Sequence, residues 1–555
     1  MNNRREFLQK AGLLAAATGL AGTLPAVANA ENTEKGPVVI ASADTAVVEL
    51  TTGKIRGYTH NGIFTFKGVP YGKSTAGENR FMPPVKAEKW DGVKEALVYG
   101  PICPQKIDTG WFQQEYGFLY QWIDGFQDED CLRLNVWSQG INDGKKRPVL
   151  FWIHGGGFFS GSSQEHPSYD GENLSKLGDV VVVSINHRLN AFGYLDLSDY
   201  GSQYASSANV GMLDIVAALE WVRDNIGGFG GDQNNVTIFG QSGGGTKVIT
   251  LMAMPSARGL FHRAISQSNS IVQVATHEYS TQITANVFAE LGIGKDDIHK
   301  IHEVTPAQLI AALAATDAKM GGKVPAGVGR SGLQPVVDGN ILPAHPFDPV
   351  APAISAHIPF MVGTTRNEAS ASIDNAPLEN LTEDGLKQRL SAKYGLKADD
   401  LYRVLRKVHP DVKPVEILSF ISAQNPIAFL QAERKAAQQA APVYSYMFAW
   451  HTPVLDGRPR SFHCSEIPFA FDNTNRVENY TGDSGEARKL ANKVALAWIN
   501  FARTGNPNHS GLPAWPSFND KPGSIMVFNN TCEVKIDPDN EARKMLEHIF
   551  YNKEV

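Results

Sequence analysis

Three continuously apolar segments, at residues 149–153, 180–185 and 236–239, constrain the fold most strongly. None of them alternates between polar and apolar positions, which is typical of central strands that are covered on both faces. Between the second and third segments, apolar residues recur at helical spacing over residues 212–226. The order strand, helix, strand predicts a parallel sheet with crossover helices, and therefore an α/β fold.

The second half of the chain continues this pattern with two longer helical insertions. Residues 359–362 and 443–448 predict further strands, whereas residues 276–322 and 383–441 are predicted to be largely helical. We expect the insertions to cap one face of the sheet. The chain has 555 residues, of which 42 % are hydrophobic, enough to bury one large core. The sequence therefore predicts a large, mostly parallel central sheet with helices on both faces, in a single catalytic domain spanning residues 31–555.

The N-terminus has the features of an export signal. Arg4 and Arg5 precede a mild apolar stretch, and Ala28-Asn29-Ala30 fits a cleavage site, as in twin-arginine signal peptides. A weak membrane anchor is the less favoured interpretation, because the stretch is short and rich in alanine and glycine. No other segment has the ~18 uninterrupted apolar residues of a spanning helix. We expect cleavage after Ala30 and a periplasmic or secreted protein without stable membrane insertion.

The formal net charge of −6 gives no basic field for nucleic acid. The four cysteines suit an oxidising compartment. Cys103 and Cys131 bracket an aromatic loop that includes Trp111 and Phe112, and a disulfide between them would stabilise the fold by roughly 3 kcal/mol. Cys464 and Cys532 are the remaining pair, and the sequence leaves open whether they bond or stay free.

Residues 240–244, Gly-Gln-Ser-Gly-Gly, fit the G-x-S-x-G pattern of a nucleophile elbow. They follow the predicted strand 236–239 and precede a predicted helix at 246–254. So tight a turn strains the central residue, and only small residues fit two positions to either side of it. The turn lifts the hydroxyl of Ser242 clear of the sheet, at a helix N-terminus that favours developing negative charge. We predict that Ser242 is a nucleophile.

A serine hydroxyl needs a base to take its proton and an acid to orient that base. In this type of fold the chain order is serine, then carboxylate, then histidine, each after a strand. Glu368 follows the predicted strand 359–362, and His463 follows the strand predicted at 443–448. Glu466, three residues after His463, is a rival acid. We favour Glu368 because its position after a strand and its place in the chain order both fit.

At these residues the chain resembles the type-B carboxylesterase family, the cholinesterase-like branch of the α/β-hydrolases. The resemblance extends over nearly the whole mature chain, and further segments carry it at residues 66–71, 128–136, 225–232 and 261–268. It implies the α/β-hydrolase fold and carboxylic ester hydrolysis without a metal or an organic cofactor. It also implies that Ser242 is the nucleophile, His463 the general base and then acid, and Glu368 the orienting carboxylate.

The resemblance implies further roles around this triad. The backbone N–H groups of Gly156, Gly157 and Gly243 would form the oxyanion hole, where side chains would block the tetrahedral intermediate. Ser268 resembles a hydroxyl that supports the His463–Glu368 pair. The segment between Cys103 and Cys131 corresponds to a disulfide loop at the mouth of the active-site gorge.

Two positions at the elbow depart from the family pattern, which usually has Glu-Ser-Ala. Gln241 removes a negative charge beside the nucleophile, which favours a neutral over a cationic, choline-like substrate. Gly243 lacks a methyl group, so we expect a less rigid oxyanion loop. The sequence thus predicts an exported serine carboxylesterase that acts on small-molecule esters.

Other functions stay open on the sequence alone. A catalytically inactive recognition protein is disfavoured because the triad and the oxyanion loop are complete. An amidase or a detoxifying hydrolase could use the same residues. A long-chain lipase is disfavoured because no long amphipathic lid is evident. The sequence supports no prediction of the natural acyl and alcohol groups or of the oligomeric state.

Overall fold

The apolar segments form the centre of a twelve-stranded mixed sheet. The structure is a computed structural model that describes residues 37–106, 114–322, 328–329 and 331–551. The chain divides into the units Met1–Val38 and Val39–Val555, and the strands and helices of the fold belong to the second. The predicted export signal with its cleavage site, and Trp111 and Phe112 of the aromatic loop, lie outside the described residues.

In chain order the strands are β1 (Val39–Ile40), β2 (Val47–Leu50), β3 (Gly53–Arg56), β4 (Tyr58–His60), β5 (Ile63–Pro70), β6 (Val93–Glu95), β7 (Arg133–Ser138), β8 (Arg147–Ile153), β9 (Val181–Ile185), β10 (Gly231–Gln241), β11 (Arg263–Gln267), β12 (Ala275–Thr276), β13 (Val336–Val337), β14 (Phe360–Thr365), β15 (Val443–Phe448), β16 (Ser524–Phe528) and β17 (Glu533–Ile536). The main sheet pairs them in the order β1-β4-β5-β7-β9-β8-β10-β11-β14-β15-β16-β17, with β2, β3 and β6 in a second sheet and β12 and β13 in a third.

Along the chain, the α-helices of the described residues lie between these strands, except for the last helix, which follows β17. They are α1 (Gln114–Tyr120), α2 (Glu172–Gly178), α3 (Asn190–Tyr194), α4 (Val210–Asn225), α5 (Gly243–Ala253), α6 (His277–Leu291), α7 (Pro306–Met320), α8 (Glu383–Tyr394), α9 (Ala398–Val408), α10 (Pro414–Phe420), α11 (Gln424–Ala436), α12 (Ile467–Ala470), α13 (Glu478–Thr481), α14 (Gly485–Thr504) and α15 (Asn540–Phe550). No helix in this part of the chain has the length and apolarity needed to cross a membrane.

The centre of the main sheet is parallel, as predicted. Every pair from β9 through β8, β10, β11, β14 and β15 to β16 is parallel. The outer pairs at both edges are antiparallel, so the sheet as a whole is mixed. Because the carboxyl ends of parallel strands meet at one edge, the loops after β8, β10, β14 and β15 converge there.

Alternate side chains of the central strands enter two different cores. Phe151 of β8 packs into the core that contains Val248 of α5. Trp152, the next residue of β8, packs into the core that contains Leu490 of α14. Helices therefore cover both faces of the sheet, which explains why the sequence of β8 shows no alternation. All seven residues of β8 are buried.

The two helical insertions are placed differently from one another. Helices α6 and α7 of the first insertion contribute to the same core as α5. Helices α8, α9 and α10 of the second insertion instead form a separate apolar cluster with the C-terminal helix α15. Their placement depends on a contact with the far end of the chain, which the local sequence pattern does not reveal.

Candidate active site

Strand β10 ends in a strained turn that presents Ser242. The backbone of Ser242 has φ 56° and ψ −119°, and α5 begins at the next residue. A Cβ added to Gly240 would lie 2.6 Å from the carbonyl oxygen of Ile153, and one added to Gly244 would lie 2.1 Å from the same atom. Both positions therefore require glycine, and the turn has the geometry that the G-x-S-x-G pattern predicts.

The elbow opens onto a cavity of about 290 Å³. Its wall includes Ser242, His463 and the glycines at 155–157, together with residues 122–124 from the aromatic loop. The serine, the histidine and the glycines come from the loops after β10, β15 and β8, at the converging edge of the sheet. The structure thus brings the predicted nucleophile, the predicted base and the glycine-rich loop to one cavity.

The predicted oxyanion glycines belong to peptide groups whose carbonyls are anchored away from the elbow. The carbonyl of Gly156 accepts hydrogen bonds from the backbone N–H groups of Phe159, at 3.2 Å, and Ser160, at 3.1 Å. The carbonyl of Ser242 accepts from the N–H of Thr246 at 3.1 Å. In a planar trans peptide the N–H points opposite to the C=O. The N–H groups of Gly157 and Gly243 therefore point away from the anchored carbonyls of Gly156 and Ser242.

Gly243 and Gly157 are in close backbone contact. A Cβ added to Gly243 would lie 2.4 Å from the nitrogen, the Cα and the carbonyl oxygen of Gly157. The left-handed φ values of Gly156 (+74°) and Gly157 (+64°) bend the loop toward the elbow. The missing methyl group of Gly243 therefore permits close packing, and the less rigid oxyanion loop stays a prediction.

The imidazole of His463 is hydrogen-bonded to the predicted acid. Its Nδ1 pairs with Oε2 of Glu368, whose other oxygen accepts from the backbone N–H of Thr365 at 2.9 Å. The hydroxyl of Tyr120 donates to the carbonyl of His463 at 2.8 Å and fixes the loop. With the Nδ1 proton directed at the carboxylate, Nε2 is the basic nitrogen. Burial opposes the charged imidazole, but the neighbouring Cys464 and Glu368 outweigh it and raise the pKa of His463 well above its ordinary value.

The rival acid, Glu466, is buried without a hydrogen bond to His463. One of its oxygens accepts from Nε2 of Gln267 at 3.2 Å, and Trp498 donates to the other end of that amide at 3.2 Å. Burial, and then the charge of Glu368, raise the pKa of Glu466 to about 7. The structure therefore places Glu368, and not Glu466, against the imidazole.

Gln241 lies against the same imidazole. Its Nε2 is 3.3 Å from Nε2 of His463, and its Oε1 accepts from the thiol of Cys464 at 3.2 Å. Within the described residues the structure has no hydrogen bond between the Ser242 hydroxyl and His463. Such contacts are often loose without substrate. The same amide nitrogen is 3.4 Å from Nδ1 of His463, so it lies nearly equidistant from both ring nitrogens and not in line with the Nε2 lone pair.

Ser268 is buried at the end of β11, where its backbone N–H donates to the carbonyl of Gly363 at 2.7 Å. Its hydroxyl has no hydrogen-bond partner among the residues that the structure describes. The structure therefore does not bring this hydroxyl into hydrogen-bond contact with His463 or Glu368, and its supporting role stays a prediction.

Cys103 and Cys131 are both buried, and both are free thiols in the structure. The two thiols are close enough to interact, since Cys103 and then burial raise the pKa of Cys131 well above its ordinary value. The disulfide between them stays a prediction. Cys464 and Cys532 are also free. Their thiols have different partners, Gln241 for Cys464 and the carbonyl of Asn529 for Cys532.

The sequence did not predict three polar side chains near the cavity. Cys464 and Glu165 line it, and burial raises the pKa of Glu165 to about 7. Lys247 is buried beneath the glycine loop. The signal for Lys247 was present, since it is the only charged residue of the otherwise apolar helix α5. In the described part of the chain, no group of His, Cys, Asp and Glu side chains is arranged to hold a metal ion.

Known proteins are similar to this chain over most of its length. A model of the carboxylesterase family matches residues 44–546. The chain is 35 % identical over 509 residues to a para-nitrobenzyl esterase of Bacillus subtilis, an alignment that covers 90 % of this chain and 98 % of that protein. It is 33 % identical over 516 residues to a phenmedipham hydrolase of Pseudarthrobacter oxydans, covering 90 % and 99 %.

Solved structures show the same similarity. An esterase from anaerobic Clostridium hathewayi, described as able to hydrolyse aliphatic aromatic polyesters, superimposes with a TM-score of 0.80 at 37 % identity, over 92 % of this chain and 99 % of that one. A carboxylesterase of Geobacillus stearothermophilus gives a TM-score of 0.76 at 36 % identity, over 90 % and 100 %. The predicted α/β-hydrolase fold is confirmed.

Proposed function

Because the chain belongs to the carboxylesterase family and is a carboxylic ester hydrolase, we propose that it works through a Ser242–His463–Glu368 triad and an acyl-enzyme intermediate. The observation that carries this proposal is the pairing of His463 with Glu368 beside the same cavity that holds Ser242. A nucleophile, a base and an orienting acid around one cavity are what acyl transfer requires.

The reaction proceeds in two steps. The oxygen of Ser242 attacks the ester carbonyl carbon while Nε2 of His463 takes the hydroxyl proton. The backbone N–H groups of Gly156, Gly157 and Gly243 stabilise the resulting oxyanion. His463 then gives its proton to the leaving alcohol, and the C–O bond of the ester breaks. A water molecule, deprotonated by His463, attacks the acyl-enzyme, the ester bond to Ser242 breaks, and His463 returns the proton to the Ser242 oxygen as the carboxylic acid leaves.

We propose that the substrates are neutral esters of small to medium size. A cavity of about 290 Å³ limits the acyl and alcohol groups together. The group beside the nucleophile is the uncharged amide of Gln241, and burial raises the pKa of Glu165 in the cavity wall to about 7. Relatives named for para-nitrobenzyl esters and for aliphatic aromatic polyesters suggest that esters carrying an aromatic group are a suitable first class to test.

We also propose that the protein is exported and acts in the periplasm or outside the cell. The twin-arginine signal predicted at residues 1–30 supports this location. The adjacent thiols of Cys103 and Cys131 support a disulfide that forms after export, when the folded protein meets an oxidising compartment.

The experiment that tests the mechanism is rapid mixing with p-nitrophenyl acetate. An acyl-enzyme that forms faster than it is hydrolysed predicts a burst of about one p-nitrophenol per active site before the steady state. A series of aryl esters with matched anilides, run on the same preparation, measures the preference for esters. The absence of ester turnover, or anilide turnover that equals ester turnover, would contradict the proposal of a simple carboxylesterase.

A further inference from the structure

A lysine is buried directly beneath the glycine loop. Lys247 lies on α5 one turn after Ser242, and its side chain is 0 % exposed. Its Nζ donates to the carbonyl oxygen of His154 at 3.1 Å and to that of Gly155 at 3.4 Å. The ring of Phe158, on the same loop, lies 5.8 Å from the ammonium. One side chain therefore holds two consecutive carbonyls at the start of the loop.

The second of these carbonyls, that of Gly155, belongs to the peptide group whose N–H is the proposed oxyanion donor of Gly156. We call the peptide groups that carry the three proposed donors the oxyanion peptides. The C=O of Gly155 and the N–H of Gly156 are the two ends of one planar peptide, so they point in opposite directions. The other two oxyanion peptides have their carbonyls anchored by backbone N–H groups, those of Phe159 and Ser160 for Gly156 and that of Thr246 for Ser242. The carbonyl of Gly155 is anchored by side chains instead, since it accepts from Nδ1 of His154 at 3.1 Å and from the ammonium of Lys247 at 3.4 Å.

The charge of Lys247 also acts on the site. In a buried environment a positive charge behind a peptide polarises it, so that its N–H becomes a stronger donor to an anion on the other side. The neighbouring imidazoles of His154 and His187 remain neutral, because burial first and Lys247 second lower their pKa values well below the ordinary one. The positive charge beneath the loop is therefore that of Lys247.

We propose that Lys247 is a positioning residue for the oxyanion hole. It holds the Gly155–Gly156 peptide so that the Gly156 N–H faces the cavity, and its charge strengthens the stabilisation of the oxyanion. The inference rests on the proposed serine mechanism, since it assigns a role in the step where the oxyanion forms. Because this charge matters mainly when the oxyanion is present, its loss lowers kcat more than it raises KM.

The chain offers a matched control in Lys435. This lysine is also buried, and its Nζ also donates to two consecutive carbonyls, those of Ser355 at 3.0 Å and Ala356 at 2.7 Å. It does not line the catalytic cavity. Lys247→Met and Lys435→Met therefore make the same chemical change in similar surroundings. Only the first acts on an oxyanion peptide.

The experiment compares both variants with the wild type. Steady-state kinetics on p-nitrophenyl esters give kcat and KM. The inhibition constants of an aryl trifluoromethyl ketone, which forms an oxyanion adduct, and of the matched alcohol, which cannot, separate binding of the oxyanion from ordinary binding. We expect Lys247→Met to lower kcat at least about tenfold and to weaken the ketone by a similar factor, because oxyanion donors contribute about 10²–10³ each. KM and the affinity for the alcohol should change less than about threefold, and Lys435→Met should match the wild type.

Three results would overturn the inference: an unchanged kcat in folded Lys247→Met, an equal loss in Lys435→Met, or an equal weakening of ketone and alcohol. If Lys247→Met does not fold, Lys247→Gln, which retains a hydrogen-bond donor and loses the charge, decides by the same criteria. Fluorophosphonate labelling of the wild type distinguishes a failure of the role of Lys247 from a failure of the proposed serine mechanism. A labelled Ser242 with an insensitive Lys247→Met contradicts only the role of the lysine, whereas an unlabelled Ser242 contradicts the proposed mechanism itself.

Discussion

The backbones of Gly243 and Gly157 touch beside Ser242, so closely that a Cβ on Gly243 would lie 2.4 Å from the nitrogen of Gly157. This contact joins the elbow after β10 to the glycine loop after β8. It places the N–H groups of both residues in one region, where the oxyanion of an attacked ester would form. The proposed oxyanion hole would thus be a junction between two loops, with a geometry that depends on the absence of a side chain at Gly243.

The first prediction concerns this contact. Gly243→Ala should lower kcat by about 10²–10³-fold, because the methyl group would displace the Gly157 N–H from the oxyanion. Steady-state kinetics on a p-nitrophenyl ester measure the change. Gly485→Ala is the control, since a Cβ there meets nothing within 4 Å. Equal activity of Gly243→Ala and the wild type would show that the loop moves aside without loss.

The second prediction separates the two carboxylates near the histidine. Glu368→Gln should lower kcat by about 10²–10⁴-fold, because the amide cannot stabilise the imidazolium or hold its tautomer. Glu466→Gln should have a far smaller effect, because Glu466 is bonded to Gln267 and not to His463. Circular dichroism checks that both variants are folded. If Glu466→Gln is the more damaging change, the assignment of the acid is wrong.

The third prediction concerns stability and pH. The pKa of Glu466 in the folded protein is about 7, above its ordinary value of 4.5. The folded state therefore holds this proton more tightly than the unfolded state. The stability that the bound proton contributes is fully present below about pH 4.5 and is lost as the pH rises to about 7. Glutamine cannot ionise, so Glu466→Gln should gain stability relative to the wild type over that range, by about 3 kcal/mol at most.

Melting temperatures at about pH 5 and about pH 8 test this expectation. The difference in Tm between Glu466→Gln and the wild type should become more positive at the higher pH. Glu78→Gln, at an exposed position, is the control and should follow the wild type at both pH values. A difference that does not change with pH would mean that Glu466 does not titrate in this range.

The fourth prediction concerns the cysteine pair in the exported protein. Protein purified after export should be two hydrogen atoms lighter than its reduced form, and peptide mapping should link Cys103 to Cys131. Removing the bridge with Cys103→Ser should cost roughly 3 kcal/mol, as expected for a loop of about 27 residues. Cys532→Ser should change neither the mass difference on reduction nor the free energy of unfolding. Two free thiols at Cys103 and Cys131 in exported protein would contradict the proposed bridge.

Much of the fold was predictable because the central strands are buried on both faces. Their unbroken apolar sequences locate β8, β9 and β10. The glycines of the elbow indicate positions where the backbone of β8 comes too close for a side chain to fit. The order of Ser242, Glu368 and His463 follows from the loops after parallel strands. These features depend on local sequence, and the structure places them as expected.

Other features depend on contacts that no local pattern encodes. The antiparallel edge strands β1 and β4 are short, and the cluster of α8, α9 and α10 is completed by α15 from the C-terminus. The amide of Gln241 reaches His463, 222 positions away in the chain. Lys247 was readable only as a charged residue in an apolar helix. Its partners, the carbonyls of His154 and Gly155, required the fold.

The most direct test of the central claim is site mapping with a fluorophosphonate ester. Digestion and mass spectrometry of the inactivated wild type should find one phosphonyl group, on the peptide that contains Ser242, with activity lost in proportion to labelling. Ser242→Ala should take up no label, and its ester turnover should be lower than that of the wild type by about 10⁴-fold or more. A label on another residue, or substantial turnover by Ser242→Ala, would contradict the assignment of Ser242 as the nucleophile.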